Sequence, residues 1–252
     1  DYLTTELNNG ADFLVSSDKS CLTNAFSEAH PEIKVIGVPK VFFSAFHPDL
    51  VYAANPGQEF IKCLDSDYHS AICLWAWKNK VTPEMTVKLF REEVFFELGY
   101  LNCWDESVRN LHSRFKDVKL DFGRFWKRMQ RSMPFMYSVN HPNTLALAEI
   151  AKEVAVKISG NESLYDEPAH EMMTERLDAL RWPIYPPIAS LYGLRGSYKW
   201  KIRRLIYCSL QEYVEKAMLS YDEQGYEREE ISLYTYGYEQ FDAKMKALIK
   251  GN

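Results

Sequence analysis

Two histidine–proline pairs mark the places where this chain could do chemistry. In Val41-Phe42-Phe43-Ser44-Ala45-Phe46-His47-Pro48-Asp49-Leu50-Val51-Tyr52, an apolar and aromatic run stops at an imidazole, a rigid proline and a carboxylate. Imidazole titrates near neutrality and serves as general base or acid, so His47 is the first candidate. Asp49 lies beside it, and Ser44 supplies a hydroxyl that alternates with Phe46. In open α/β sheets ligands bind at the carboxyl ends of strands, where the profile of a buried strand puts His47. The alternative is a histidine that caps the strand end by bonding to backbone.

The second pair, in Ser138-Val139-Asn140-His141-Pro142-Asn143, precedes the strongest helical pattern of the chain. A helix N-terminus attracts anions and depresses a histidine pKa, and Asn140 and Asn143 add amide groups there. The set reads as an oxyanion or phosphate site, or as an N-cap cluster. Together the two pairs are expected to wall one site.

A third feature is Gly193-Leu194-Arg195-Gly196-Ser197-Tyr198-Lys199-Trp200-Lys201-Ile202-Arg203-Arg204, with five cations and no acid. Guanidinium groups pair with phosphates and aromatic rings can stack an adenine. Arg195, Tyr198, Lys199, Lys201 and Arg203 are therefore candidate contacts to a nucleotide-containing cofactor; a solvated basic helix start is the other reading. Cys21 and Cys63 are nucleophiles by residue type alone, and buried, inert thiols are as consistent. The sequon Asn161-Glu162-Ser163 has no accompanying sign of secretion.

The elements that must position these groups divide near residue 57. Phe13 to Ser17, Lys34 to Pro39 and Val41 to Phe46 read as strands, rich in Val, Ile and Phe and without strict alternation, as strands covered on both faces do. Thr23 to His30 reads as a brief helix. After Asn55-Pro56-Gly57 the pattern becomes helical. Thr82-Pro83-Glu84 is a helix start, with apolar residues at helical spacing to Leu98 and a stop at Gly99. Further helices are expected at 104–115, 122–132, 142–159, 169–180, 202–219 and 238–250, with 183–187 extended before its prolines.

Composition bounds the function. The 252 residues suit one large domain; 46% hydrophobic and 26% charged residues suit an ordinary globular chain, and a net charge of −5 argues against nucleic acid as the main partner. Five cysteines without a C-x-x-C pair suggest neither a disulfide framework nor a metal site, and point to a cytoplasmic protein. No apolar run approaches the ~18–20 residues of a membrane span, and no signal peptide opens the chain.

Val38-Pro39 with Phe42-Phe43-Ser44-Ala45-Phe46-His47-Pro48-Asp49-Leu50-Val51-Tyr52, Glu97-Leu98-Gly99-Tyr100, Pro134-Phe135-Met136-Tyr137-Ser138-Val139-Asn140-His141-Pro142 and Trp182-Pro183-Ile184-Tyr185-Pro186 resemble the WcbI-type family of capsular polysaccharide biosynthesis proteins. That resemblance spans residues 35 to 200 or so. It implies an α/β fold loosely like the SGNH hydrolases: a small, mostly parallel sheet in the N-terminal part and a large helical C-terminal part. Residues 1–252 would form a single domain, with 1–57 strand-rich and 58–252 mainly helical. It also implies a coenzyme A-dependent O-acetyltransferase, with acetyl-coenzyme A as donor and a capsular or surface sugar as acceptor. His47, Asp49, His141 and Ser44 become catalytic candidates; Asn140, Asn143 and the basic stretch become cofactor candidates, the basic stretch on charge alone. The Gly-Asn-Cys turn of the family's N-terminal region does not occur here, and the chain begins at Asp1. An upstream segment or a divergent member is the expectation. A carbohydrate esterase and a non-catalytic ligand-binding member of the fold are the alternatives; under every reading a homo-oligomer stays open.

Overall fold

The computed structural model describes residues 10–17, 24–203, 206–234 and 238–250. The chain is mixed α/β, and its contacts group it into two compact units. The first comprises 1–42, 108–135 and 142–175, the second 43–107, 136–141 and 176–252.

In the first unit β1 (Phe13–Ser16) and β2 (Lys34–Gly37) pair in parallel, Phe13 opposite Lys34 and Ser16 opposite Gly37. The short helix Asn24–Ala29 makes the crossover. Helices Phe122–Arg131 and Thr144–Ser159 start on acceptor side chains. Asp121 Oδ1 accepts from Gly123 N at 2.8 Å, and Asn143 Oδ1 accepts from Ala146 N at 3.0 Å. Each such cap satisfies an orphan donor, worth about 1 kcal/mol. Phe115, Phe125, Met129 and Phe135 have no exposed surface and form this unit's core, with the Phe115 and Phe125 rings 4.6 Å apart.

The second unit holds an antiparallel sheet ordered β4–β3–β7, from β3 (Leu50–Ala54), β4 (His69–Ser70) and β7 (Ser232–Tyr234). Leu50 faces Ser70, and Tyr52 faces Tyr234. Helix Ala71–Lys78 leaves β4 directly, with Ser70 Oγ accepting from Cys73 N at 3.1 Å. Seven of its residues are buried, so it is apolar all round and shows no amphipathic period. Its two indoles still reach acceptors: Trp75 donates to Asp242 at 2.8 Å and Trp77 to Asp222 at 2.7 Å. A hairpin of β5 (Lys199–Arg203) and β6 (Ile206–Ser209) leads into helix Leu210–Glu223 through a Ser209/Glu212 capping box. Helix Tyr238–Lys250 follows.

Several expectations are corrected. Val41 to Phe46 is mostly buried, with Phe42 exposed, but is not a strand: Phe43 N pairs with Val139 O at 2.7 Å, and His47 N turns back to Ser44 O. Pro39 and Pro48 bracket the run and lack the donors a ladder needs. The strand begins after His47-Pro48-Asp49, not before it. Parallel pairing occurs only in β1–β2 among the described strands; the other ladders are antiparallel. The helix from Thr82 breaks after Val87 and resumes at Glu92. The break turns Phe90 into an aromatic cluster, and its carbonyl accepts from Tyr198 Oη at 2.9 Å. Residues 169–180 form only 3-10 turns at Ala169–Met172 and Leu177–Ala179, and the basic end of the expected 202–219 helix is hairpin.

Candidate functional site

His47 and Asp49 belong to the sealed core of the second unit. The Asp49 carboxylate accepts from Ile72 N (3.0 Å), Tyr100 Oη (3.0 Å) and Tyr185 Oη (2.7 Å). Burial raises its pKa to about 6, against the lowering pull of these donors and of Ser70. His47 is 2% exposed, and neither ring nitrogen has a hydrogen-bond partner of regular geometry. Burial lowers its pKa to about 4, although the nearby Pro183 and Met136 carbonyls favour the charged form. The ring is thus neutral at pH 7 and closed to a substrate in this arrangement. Asp49, engaged elsewhere, does not orient it. Ser44 Oγ lies 3.0 Å from Ser107 Oγ.

An open cleft of about 520 Å³ lies elsewhere in the same unit, lined by Tyr52, Tyr68, Asn140 and His141 and by two charged pairs. His47 is not part of its lining. β3 carries Tyr52, and Tyr68 stands immediately before β4. The 136–141 segment is tied down by Tyr137 N to His141 O and Trp182 N to Tyr137 O, each 2.7 Å. Tyr68 Oη donates to Asn140 Oδ1, Asn140 Nδ2 donates to Tyr52 Oη at 2.9 Å, and His141 Nε2 lies 3.2 Å from Tyr68 Oη. Tyr68 has one proton and gives it to Asn140. Proton counting therefore assigns a hydrogen to His141 Nε2 and leaves a lone pair on Nδ1, which is buried and has no partner. Burial lowers the His141 pKa, so the ring is neutral at pH 7. A neutral imidazole held in one tautomer by its other nitrogen is equipped to accept a proton.

The basic stretch does not form a phosphate cluster. Lys201 is buried against Asp178 (Nζ to Oδ2, 2.9 Å), and Arg203 pairs with Asp65 at the cleft. Trp200 stacks on Tyr213 at 4.3 Å in the core, and the half-buried Tyr198 bonds to the Phe90 carbonyl, so neither ring stands as an open adenine platform. Arg195 and Lys199 are exposed, and Arg204 lies outside the described residues. Asn143, expected to bind ligand, is the cap of the following helix, and its Nδ2 donates to Pro134 O at 3.3 Å. Cys63 is buried, which pushes its thiol up to about 12, and Cys21 lies outside the described residues. No group of three or more His, Cys, Asp or Glu among the described residues is placed to hold a metal ion.

Sequence reading missed Tyr52 and Tyr68, the partners of Asn140 and His141. Tyr52 closes the His47-Pro48-Asp49 block, but nothing in that block marks its hydroxyl as a partner of Asn140. The polar stretch Asp65-Ser66-Asp67 before Tyr68 was the one available signal. It is a tight turn in which Leu64 and Asp65 both take positive φ (50° and 66°) and Cys63 and Ser66 exchange backbone bonds.

Fold and cleft together define a mixed α/β protein with an imidazole–phenol–amide chain lining an open cleft. The family model described as "Polysaccharide biosynthesis enzyme WcbI" matches residues 22–163, more than half of the sequence. The chain belongs to the WcbI family of polysaccharide biosynthesis enzymes. A solved structure of WcbI, described as the native protein without a disulfide bond between coenzyme A and a cysteine, superposes with a TM-score of 0.62 at 14% identity, covering 94% of this chain and 75% of that one. At that identity the likeness is one of fold. No curated protein sequence matches the chain. No helix among the described residues is long and apolar enough to cross a membrane.

Proposed function

We propose that the chain transfers an acetyl group from acetyl-coenzyme A to a sugar hydroxyl during polysaccharide biosynthesis, with His141 as the base. Membership of a polysaccharide biosynthesis family supports the class of reaction, and the association of a fold relative with coenzyme A supports the donor. The observation that carries the choice of base is the His141–Tyr68–Asn140–Tyr52 chain at the cleft. His141 Nδ1, buried in this arrangement and so reached only when the 136–141 segment opens locally, takes the proton of the sugar hydroxyl as its oxygen attacks the thioester carbonyl. The tetrahedral oxyanion collapses with cleavage of the carbon–sulfur bond. The thiolate of coenzyme A leaves and receives the proton from the imidazolium, so the ester and free coenzyme A are the products. Tyr68 holds Nε2–H and so fixes the tautomer, as the orienting group of any imidazole base does. His47 and Asp49 shape the core in this reading.

The test is acceptor-dependent release of free thiol from acetyl-coenzyme A, with the acetylated sugar identified by mass. His141→Gln should lower kcat by about 100-fold or more, the usual scale of general-base catalysis. A fully active His141→Gln would overturn the assignment. Thiol release that ignores the acceptor would favour a hydrolase instead.

A further inference from the structure

The cleft carries more than its base. Its four charged side chains form two pairs, Lys62 with Asp67 and Arg203 with Asp65, so its formal charge sums to zero. Both pairs are solvent-exposed, so a phosphate-rich donor would compete with Asp67 and Asp65 for cations that are already partnered. Beyond the cleft, rings continue in a line: Tyr68 to Tyr52 at 5.5 Å, Tyr52 to Phe60 at 5.4 Å and Phe60 to Tyr234 at 6.0 Å. The last two rings are 54% and 52% exposed, although large apolar groups of a sheet usually turn inward. Their placement is built in by strand pairing. Tyr234 lies opposite Tyr52 across β3–β7, and Phe60 bridges Ala54 at the end of β3.

We infer that this cleft is the acceptor subsite, and that it takes an uncharged glycan chain lying along Tyr52, Phe60 and Tyr234. A pyranose has an apolar face of C–H groups and a rim of hydroxyls. Exposed rings cover the first, and paired charges with Asn140 and Ser66 hydrogen-bond the second without demanding a counter-charge. The strained turn at Leu64 and Asp65 holds the Asp65 carboxylate where Arg203 meets it. Arg203 is thereby a specificity residue for a neutral sugar rather than a phosphate ligand. An acidic glycan would compete with Asp65 and Asp67 for the two cations and bind more weakly. The donor's phosphates lie outside this cleft.

The acceptor role rests on the acyl-transfer reading above, but the binding does not, and the experiment separates them. Short uncharged hexose oligomers and matched uronic-acid oligomers are titrated into the full chain by calorimetry without coenzyme A. Coenzyme A binding is followed separately by thermal shift. Uncharged oligomers should bind and uronic-acid oligomers should bind more weakly. Phe60→Ala and Tyr234→Ala should each weaken the sugar about fivefold or more while leaving coenzyme A binding intact. Arg203→Ala, which leaves Asp65 unpaired, should weaken it as well. Failure of every uncharged oligomer to bind, or a preference for the acidic ones, overturns the inference. So does loss of coenzyme A binding in Phe60→Ala, which would make the strip a donor platform. Sugar binding without any acetyl transfer would retain the subsite and reject the transferase.

Discussion

Replacing Asp49 by Asn should change the pH dependence of stability in a direction opposite to that of most carboxylate mutations. Asp49 is fully buried and accepts from Ile72 N, Tyr100 Oη and Tyr185 Oη. Its pKa nevertheless rises from the ordinary 3.8 to about 6, because burial outweighs those donors. A folded-state pKa above the unfolded one means that folding favours the protonated carboxyl. That stabilisation is complete below about pH 4 and is lost as the pH rises through 6. A rise from 3.8 to about 6 corresponds to roughly 3 kcal/mol between these limits. Asparagine keeps one oxygen for Ile72 N and Tyr100, and its amide can donate to the Tyr185 oxygen, so geometry is largely retained. Relative to wild type, Asp49→Asn should therefore gain about 2.4 kcal/mol on going from pH 4 to pH 7.5. Urea unfolding at both pH values, followed by tryptophan fluorescence, measures this difference, and the buried histidines cancel in it. Parallel curves, or a wild type that gains on the variant as pH rises, would refute burial as the dominant cause. Asp49→Ala removes the acceptor from three buried donors and should cost about 4 kcal/mol or more at any pH.

Other expectations follow from the same physics. His47 and His69 are depressed to about 4 by burial, so the stability they contribute is present above 6.5 and is lost as pH falls toward 4. His47→Leu should be near-neutral at pH 7 and about 2 kcal/mol more stable than wild type near pH 4.5, by urea unfolding. At Gly196 a Cβ would fall against Pro186 Cα and 2.7 Å from Pro186 N, so Gly196→Ala should cost about 2 kcal/mol and lower Tm by several degrees. Tyr68→Phe releases the hold on His141 Nε2 and should lower kcat about tenfold with a shifted pH–rate profile and little change in KM for the donor. An unchanged profile would remove Tyr68 from the mechanism.

Local chemistry was legible in the sequence. Thr82 accepts from Met85 N as a helix cap, and Gly99 closes helix Glu92–Leu98 in the left-handed region at φ 82°. Helices Trp104–Asp117, Phe122–Arg131, Thr144–Ser159 and Tyr238–Lys250, and strands β1 and β2, follow their patterns. Each of these signals lies within a few residues of the structure it specifies. Asn140 and His141 could likewise be picked out by type.

Only the tertiary structure decided what a long apolar or basic run becomes. Val41 to Phe46 and Ala71 to Trp77 are both apolar and largely buried, yet the first is an irregular segment and the second a helix. Burial from all sides erases the period that would distinguish them. The basic stretch became a strand because Trp200 stacks on Tyr213 and Lys201 meets Asp178, contacts that no neighbouring residue encodes. The cleft itself joins Tyr52 and Tyr68 to Asn140 and His141 across separations of 88, 72 and 73 residues. The sequence supplies the imidazole, the amide and the phenols. Their meeting depends on antiparallel pairing and on a turn of positive φ, which exist only once the chain has folded.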